Sequence, residues 1–200
     1  MIVTRPPLFV WPYALAFWPL FLLVFVTEVR LEHRARADAQ QHRAQDKGSV
    51  RIIPILGRAS FWLALAAAIF VSTATISPGR DGAFTIGVLS LAAGALLRHH
   101  CFRMLGPSFR GTVSVQPDQT IVQRGAYRWI RHPSYTGAML MMVGVGLAMT
   151  NWLSIVILTL LPALGYGYRV RLEEQAMLAT LGERYRVYMS RTKRFVPFVL

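Results

Sequence analysis

Four stretches of the chain carry no charged residue: 6–27 (22 residues), 59–79 (21), 82–97 (16) and 132–168 (37). A bilayer-crossing helix needs about 20 mostly apolar residues, so the first two predict spans outright. The third predicts a span that runs on past Arg98, whose long stem carries its head to the interface. The fourth fits two helices of about 17 residues, joined by a tight turn at Thr150-Asn151. The pattern therefore predicts an all-α, polytopic membrane protein with five transmembrane helices. Beyond the last span, Met177, Leu178, Leu181, Tyr185 and Tyr188 follow 3-and-4 spacing. That spacing predicts an interfacial amphipathic helix over 170–190. Gly182 costs such a helix about 1 kcal/mol against alanine, and bends or ends it.

Charge orients the spans. The segments 30–58, 98–131 and 169–194 hold seven, six and seven Lys/Arg, whereas the opposite side has only Arg5 and Arg80. This bias predicts an N-terminus outside and a C-terminus in the cytosol. It also absorbs nearly all of the net charge of +13, for which anionic lipid headgroups are sufficient partners without nucleic acid. Arg5 with no cleavage site after the first apolar run predicts a span rather than a secretory signal. The polar tract 28–58 predicts a solvated connector in which Gly48 and Pro54 end any helix. Glycines 87, 94, 137, 144 and 146 predict close helix packing or room for a flat ligand. The run His99-His100-Cys101 predicts no metal site, because neighbours on a helix point about 100° apart.

Polar chemistry is concentrated in 119–137, QTIVQRGAYRWIRHPSYTG. Pro133 sets His132 in an extended or turn conformation and suits the first turn of a helix, whose free amides favour an anionic group. On the residues alone, this is equally a helix start with interfacial anchors. In the C-terminal helix Arg169 and Glu173 stand at i, i+4 and can pair. Glu174 falls on the apolar face and must be neutralised, hydrogen-bonded or paired. No acidic or basic residue is predicted near a span centre, which argues against a pump or a proton-coupled transporter.

The order Gly125-x-Tyr127-Arg128-x-x-Arg131-His132-Pro133-Ser134-Tyr135-x-Gly137 resembles the signature of the isoprenylcysteine carboxyl methyltransferase family. So does the sequel: Arg169-Val170, then Glu173-Glu174 and Leu178, then Gly182, Tyr185 and Tyr188. The resemblance covers about residues 105–197, with a two-span hairpin over 133–168 between its motifs. Residues 1–104 match only as a set of spans. Gln119 stands where the family often has histidine, and glutamine cannot titrate. Ala126 replaces the family's frequent proline.

The resemblance implies an S-adenosyl-L-methionine-dependent carboxyl O-methyltransferase of one membrane domain, whose methyltransferase core is 105–200. It implies that Gln119, Val122, Gly125, Tyr127, Arg131, His132 and Tyr135 cradle the cofactor. Arg169 and Glu173 organise the cofactor's amino-acid end and the acceptor, and Glu174 closes the pocket. The acceptor implied is lipophilic or prenylated and enters from the bilayer to a cytosol-facing site. Twenty Arg against two Lys hints at a bacterial inner membrane. Other acceptors on the same fold are a phospholipid amine or a small thiol. A membrane NADPH-dependent reductase and a non-enzymatic scaffold are the more distant alternatives.

Overall fold

The computed structural model describes residues 5–41, 48–106, 115–116 and 118–196. Six α-helices carry the fold: α1 (Tyr13–Gln41), α2 (Ser49–Phe70), α3 (Arg80–Leu105), α4 (Pro133–Ala148), α5 (Trp152–Leu181) and α6 (Glu183–Arg191). No strand occurs among the described residues, only isolated bridges at Thr75–Asn151 and Ile130–Lys193. Tyr13–Arg34 of α1, Arg51–Phe70 of α2, α3 and α5 are long and apolar enough to cross a membrane. Their outward faces carry exposed Leu23, Trp62, Leu89, Leu96, Leu160 and Leu164. A surface of that kind belongs in lipid, and the chain is an integral membrane protein. The fifth apolar helix, α4, has 16 residues.

Small residues hold α3 against α4. A Cβ on Gly94 would lie 2.5 Å from Gly137 O, and one on Gly144 would lie 2.6 Å from Gly87 O. Neither backbone can give way, so these glycines serve close approach. Gly146 does the same for α5, where a Cβ would meet Ile155 Cα at 2.8 Å. Packing, rather than room for a ligand, explains them.

The Thr150-Asn151 turn lies where the pattern placed it. Asn151 caps α5 by accepting from Ser154 N at 3.0 Å, and its Nδ2 donates to Val71 O at 3.1 Å. Ser154 Oγ donates to Ala64 O at 2.7 Å. The side-chain cap satisfies an orphan helix amide, and the other two bonds tie the hairpin to α2.

Three expectations change. The tract 28–58 is not a plain connector, because α1 runs on to Gln41 and α2 starts at Ser49. Gly48 separates them with φ of 80°, but Pro54 lies inside α2, as membrane helices tolerate when neighbours supply the packing. No separate helix begins at Val170: α5 is continuous to Leu181, and the break falls at Gly182 with φ of 54°. The head of Arg98 turns to a protein partner rather than to solvent. It is drawn inward by Glu28, with Nε–Oε1 at 2.7 Å and Nη2–Oε2 at 2.8 Å.

Candidate functional site

The turn before α4 is built by two residues with fixed backbones. Gly125 takes φ of 59°, a conformation that disfavours any side chain, and a Cβ there would meet His100 Nε2 at 2.8 Å. Pro133 occupies the first turn of α4 and His132 its N-cap. The amide of Tyr135 donates to His132 O, beside the ordinary first helical bond from Thr136 N, so the anion site expected at this helix start loses one of its donors.

The C-terminal segment 192–195 then closes on this turn. Arg131 N donates to Lys193 O at 2.7 Å, His132 N to Arg194 O at 3.0 Å, and Lys193 N to Trp129 O at 3.1 Å. Thr136 Oγ1 adds a bond to Phe195 O at 2.8 Å.

The two polar segments meet through these supports. Arg169 Nε donates to Glu173 Oε1 at 2.8 Å, and Tyr135 OH donates to the same oxygen at 2.5 Å. His132 lies between the paired glutamates: Nδ1 is 3.6 Å from Glu173 Oε2, and Nε2 is 3.4 Å from Glu174 Oε1. Its ring stacks on Tyr135, with centroids 5.8 Å apart. Nε2 is buried and makes no hydrogen bond.

Glu174 is buried and fully employed. It accepts from Arg131 Nε at 3.0 Å and from Arg194 Nη2 at 2.7 Å. Arg131 Nη1 also donates to Met189 O at 3.1 Å and to Thr192 O. A buried carboxylate gripped by two guanidiniums is stable where an unpaired one would not be.

These groups border a cavity of about 1030 Å³ that reaches from the polar cluster deep between the helices. Gln119, Val122, Tyr127, Arg131, His132, Tyr135, Arg169 and Glu173 line it. Phe21, Phe61, Met141, Val145 and Leu158 form its apolar reach. Gly125 and Glu174 are not among the lining residues: the first shapes the turn, and the second braces Arg131 from behind. Gln119 contributes wall, but its Oε1 accepts from Gln116 N at 3.3 Å.

Tyr127 and Tyr188 are stitched together by a bond from Tyr188 OH to Tyr127 O at 2.7 Å. Burial pushes the Tyr188 phenol up to about 12 and that of Tyr127 further still. Both therefore stay neutral at physiological pH.

Residues 86–179 match the model of the isoprenylcysteine carboxyl methyltransferase (ICMT) family. That segment runs from α3 through the motif turn and the hairpin to both glutamates, so it contains Arg131, His132, Tyr135, Arg169, Glu173 and Glu174, while Tyr188 and Arg194 lie beyond it.

Among the relatives of this family segment is a protein-S-isoprenylcysteine O-methyltransferase of Tribolium castaneum. It is 29% identical over 116 residues, which cover 57% of this chain and 41% of the relative. The Saccharomyces cerevisiae protein of the same name is also 29% identical, over 57% of this chain and 48% of its own. The chain thus spans less than half the length of these curated relatives. A solved eukaryotic intramembrane Ras methyltransferase ICMT superposes with a TM-score of 0.59 and 25% identity. That match covers 73% of this chain and 52% of the solved one.

Four participants in the ICMT-like site were not singled out from the sequence. Arg194 comes from the C-terminal segment after α6 to grip Glu174. Tyr166 packs on Tyr135 with centroids 5.1 Å apart. Glu28 and Arg98 line the same cavity. Charges that close two apolar runs, at 28 and 98, were the available signal for the last two.

Proposed function

We propose that the chain is an integral-membrane, S-adenosyl-L-methionine-dependent methyltransferase that esterifies a carboxylate on a lipophilic acceptor, such as a prenylated cysteine. The observation that carries this reading is one cavity with two characters. A polar end around Arg169, Glu173 and Tyr135 opens into an apolar reach between the helices. An adenosyl sulfonium with an amino-acid tail needs aromatic surface, a carboxylate for its positive charges and a cation for its negative one. Tyr127, Tyr135, Tyr185 and Tyr188 supply the first, Glu173 the second, and Arg131 and Arg169 the third, so the residues fit the cofactor.

When bound, S-adenosyl-L-methionine supplies a sulfonium-borne methyl group whose transfer to a carboxylate cancels two opposite charges and moves no proton. The protein's contribution is then alignment and exclusion of water. The turn residues Gln119, Val122, Tyr127, Arg131, His132 and Tyr135 hold the donor, and Gly125 sets their backbone. Arg169, fixed by Glu173, orients the donor's amino-acid end and the reacting groups. Glu174 holds Arg131 and Arg194 in place and is a positioning residue, not a lid. The apolar reach takes the lipid part of the acceptor and keeps water away.

In this reading α4 is also a span, the fourth of five along the chain, short enough for its ends to lie near the polar boundary. The N-terminus is outside, and the site faces the cytosol of a bacterial inner membrane. Residues 105–200 carry the methyltransferase core, and 1–104 wall it. Incubation of the purified chain with radiolabelled donor and an isoprenylated cysteine tests the chemistry. Base-labile label in the lipid supports a methyl ester. Base-stable label would move the acceptor to an amine or a thiol.

A further inference from the structure

Arg98 is the least accounted-for charge in the cavity. Its guanidinium carries a two-point carboxylate, Glu28, and its Nη1 donates to Ser134 O and Oγ at 3.1 Å. This is the forked geometry by which arginine recognises a free carboxylate. Ser134 precedes Tyr135, so the pair lies beside the Arg169–Glu173 cluster, and Arg98, Glu28, Tyr135 and Glu173 share one cavity.

Of the other lining arginines, Arg58 is half exposed and so is no fixed receptor, and the remaining two hold partners that cannot easily leave. Arg131 is bound to Glu174 and Arg169 to Glu173, and both glutamates stand on the continuous helix α5. Glu28 rides on α1, of whose span only 11% is buried, against 33% for α5. Its side chain is 32% exposed, while that of Arg98 is 11% exposed. The arginine is therefore fixed and its carboxylate exchangeable.

We propose that Arg98 is the receptor for the acceptor's free carboxylate, and that Glu28 is an internal stand-in which the acceptor displaces. The idea rests on the methyltransferase reading above and deepens it, because it says where the reacting carboxylate is held. Exchange keeps the charge balance of a buried guanidinium intact at every stage, so no step leaves an unpaired buried charge. It also releases the inner end of α1 from α3. Glu32 stays bound to Arg58 of α2 at 3.0 Å, and Tyr13 OH to Asp81 at 2.7 Å at the other end. Departure of Glu28 thus loosens one side of the cavity wall while α1 remains tethered.

The experiment measures binding to the full chain in detergent of an S-isoprenylated N-acetylcysteine and of its methyl ester, in wild type, Glu28→Gln and the double variant Glu28→Gln/Arg98→Gln. The double variant buries no unpaired charge, so it stays foldable. Wild type is expected to prefer the acid to the ester. Glu28→Gln removes the internal competitor and should tighten acid binding by about tenfold, as when a binding-competent state rises from a tenth to full occupancy. The double variant should bind acid and ester alike. Equal or weaker acid binding in Glu28→Gln, or a preference retained without Arg98, overturns the assignment. S-adenosylhomocysteine binding on the same preparations separates the two ideas. Wild type that binds it but shows no acid preference sinks the Arg98 role alone. Wild type that does not bind it sinks the methyltransferase reading, and the acid-to-ester ratio still decides Arg98.

Discussion

The two ends of the chain are assembled by different forces. From α3 onward, helices meet backbone to backbone at Gly87, Gly94, Gly137 and Gly144, and the C-terminal segment is sewn to the motif turn by main-chain bonds. In α1, aromatic rings do most of the joining, as in the stacked pair Phe21–Phe61 at 5.3 Å. Ion pairs to Arg98 and Arg58 complete its attachment. Main-chain contact is stiff and leaves no alternatives, whereas ring and ion-pair contact can be exchanged. The rigid part carries the cluster around Arg169 and Glu173, and the looser part encloses the apolar space beside it. In the proposed function, rigidity sits where groups are aligned, and adaptability where a lipophilic acceptor enters.

That contrast can be broken in four ways. Glu174→Ala leaves Arg131 buried without its carboxylate and should cost about 3–5 kcal/mol, read as a large fall in thermal midpoint in detergent. A midpoint like wild type would mean that the C-terminal segment does not depend on this brace. Gly144→Ala forces a Cβ into the backbone of α3 and should cost about 1–3 kcal/mol. Gly57→Ala on α2, where nothing lies within 4 Å, should be neutral or gain up to about 1 kcal/mol. Equal losses at both positions would erase the distinction between the two regions.

Tyr188→Phe removes the bond to Tyr127 O and should cost about 1 kcal/mol at neutral pH. It also bears on pH. The folded chain holds the Tyr188 proton up to about 12, whereas an unfolded phenol releases it near 10. That contribution is complete below pH 10 and is lost as the pH rises through about 12. The wild-type midpoint should therefore fall across this window, and fall less steeply in Tyr188→Phe. Smallest of all, Glu32→Gln should change stability by under about 1 kcal/mol, because Arg58 is half exposed and its pairing is screened by solvent. A larger loss would show that α1 is held more firmly than its burial suggests.

Much of this arrangement was legible in the residues, for local reasons. Arg169 and Glu173 are four apart on a helix, so their pairing follows from geometry. Glu174 was visible as a carboxylate on an apolar face in need of a partner, and Thr150-Asn151 as a turn between apolar runs. Its partners were not legible. Arg131 is 43 residues away and Arg98 lies 70 residues from Glu28, and no local pattern encodes such meetings. The closing of 193–194 on 131–132 uses main-chain groups, which every residue has, so side-chain identity carries no trace of it. The division of α5 at Val170 failed because amphipathic spacing changes where a helix leaves lipid, while the backbone continues.

The central claim is that a methyl donor is held where the motif turn meets Arg169 and Glu173. Calorimetric titration of the intact chain in detergent with S-adenosylhomocysteine tests it, alongside Arg169→Ala and Arg58→Ala. One site per chain is expected in wild type and Arg58→Ala, weakened about a hundredfold or more in Arg169→Ala. Binding of equal strength in all three, or in none, would contradict it.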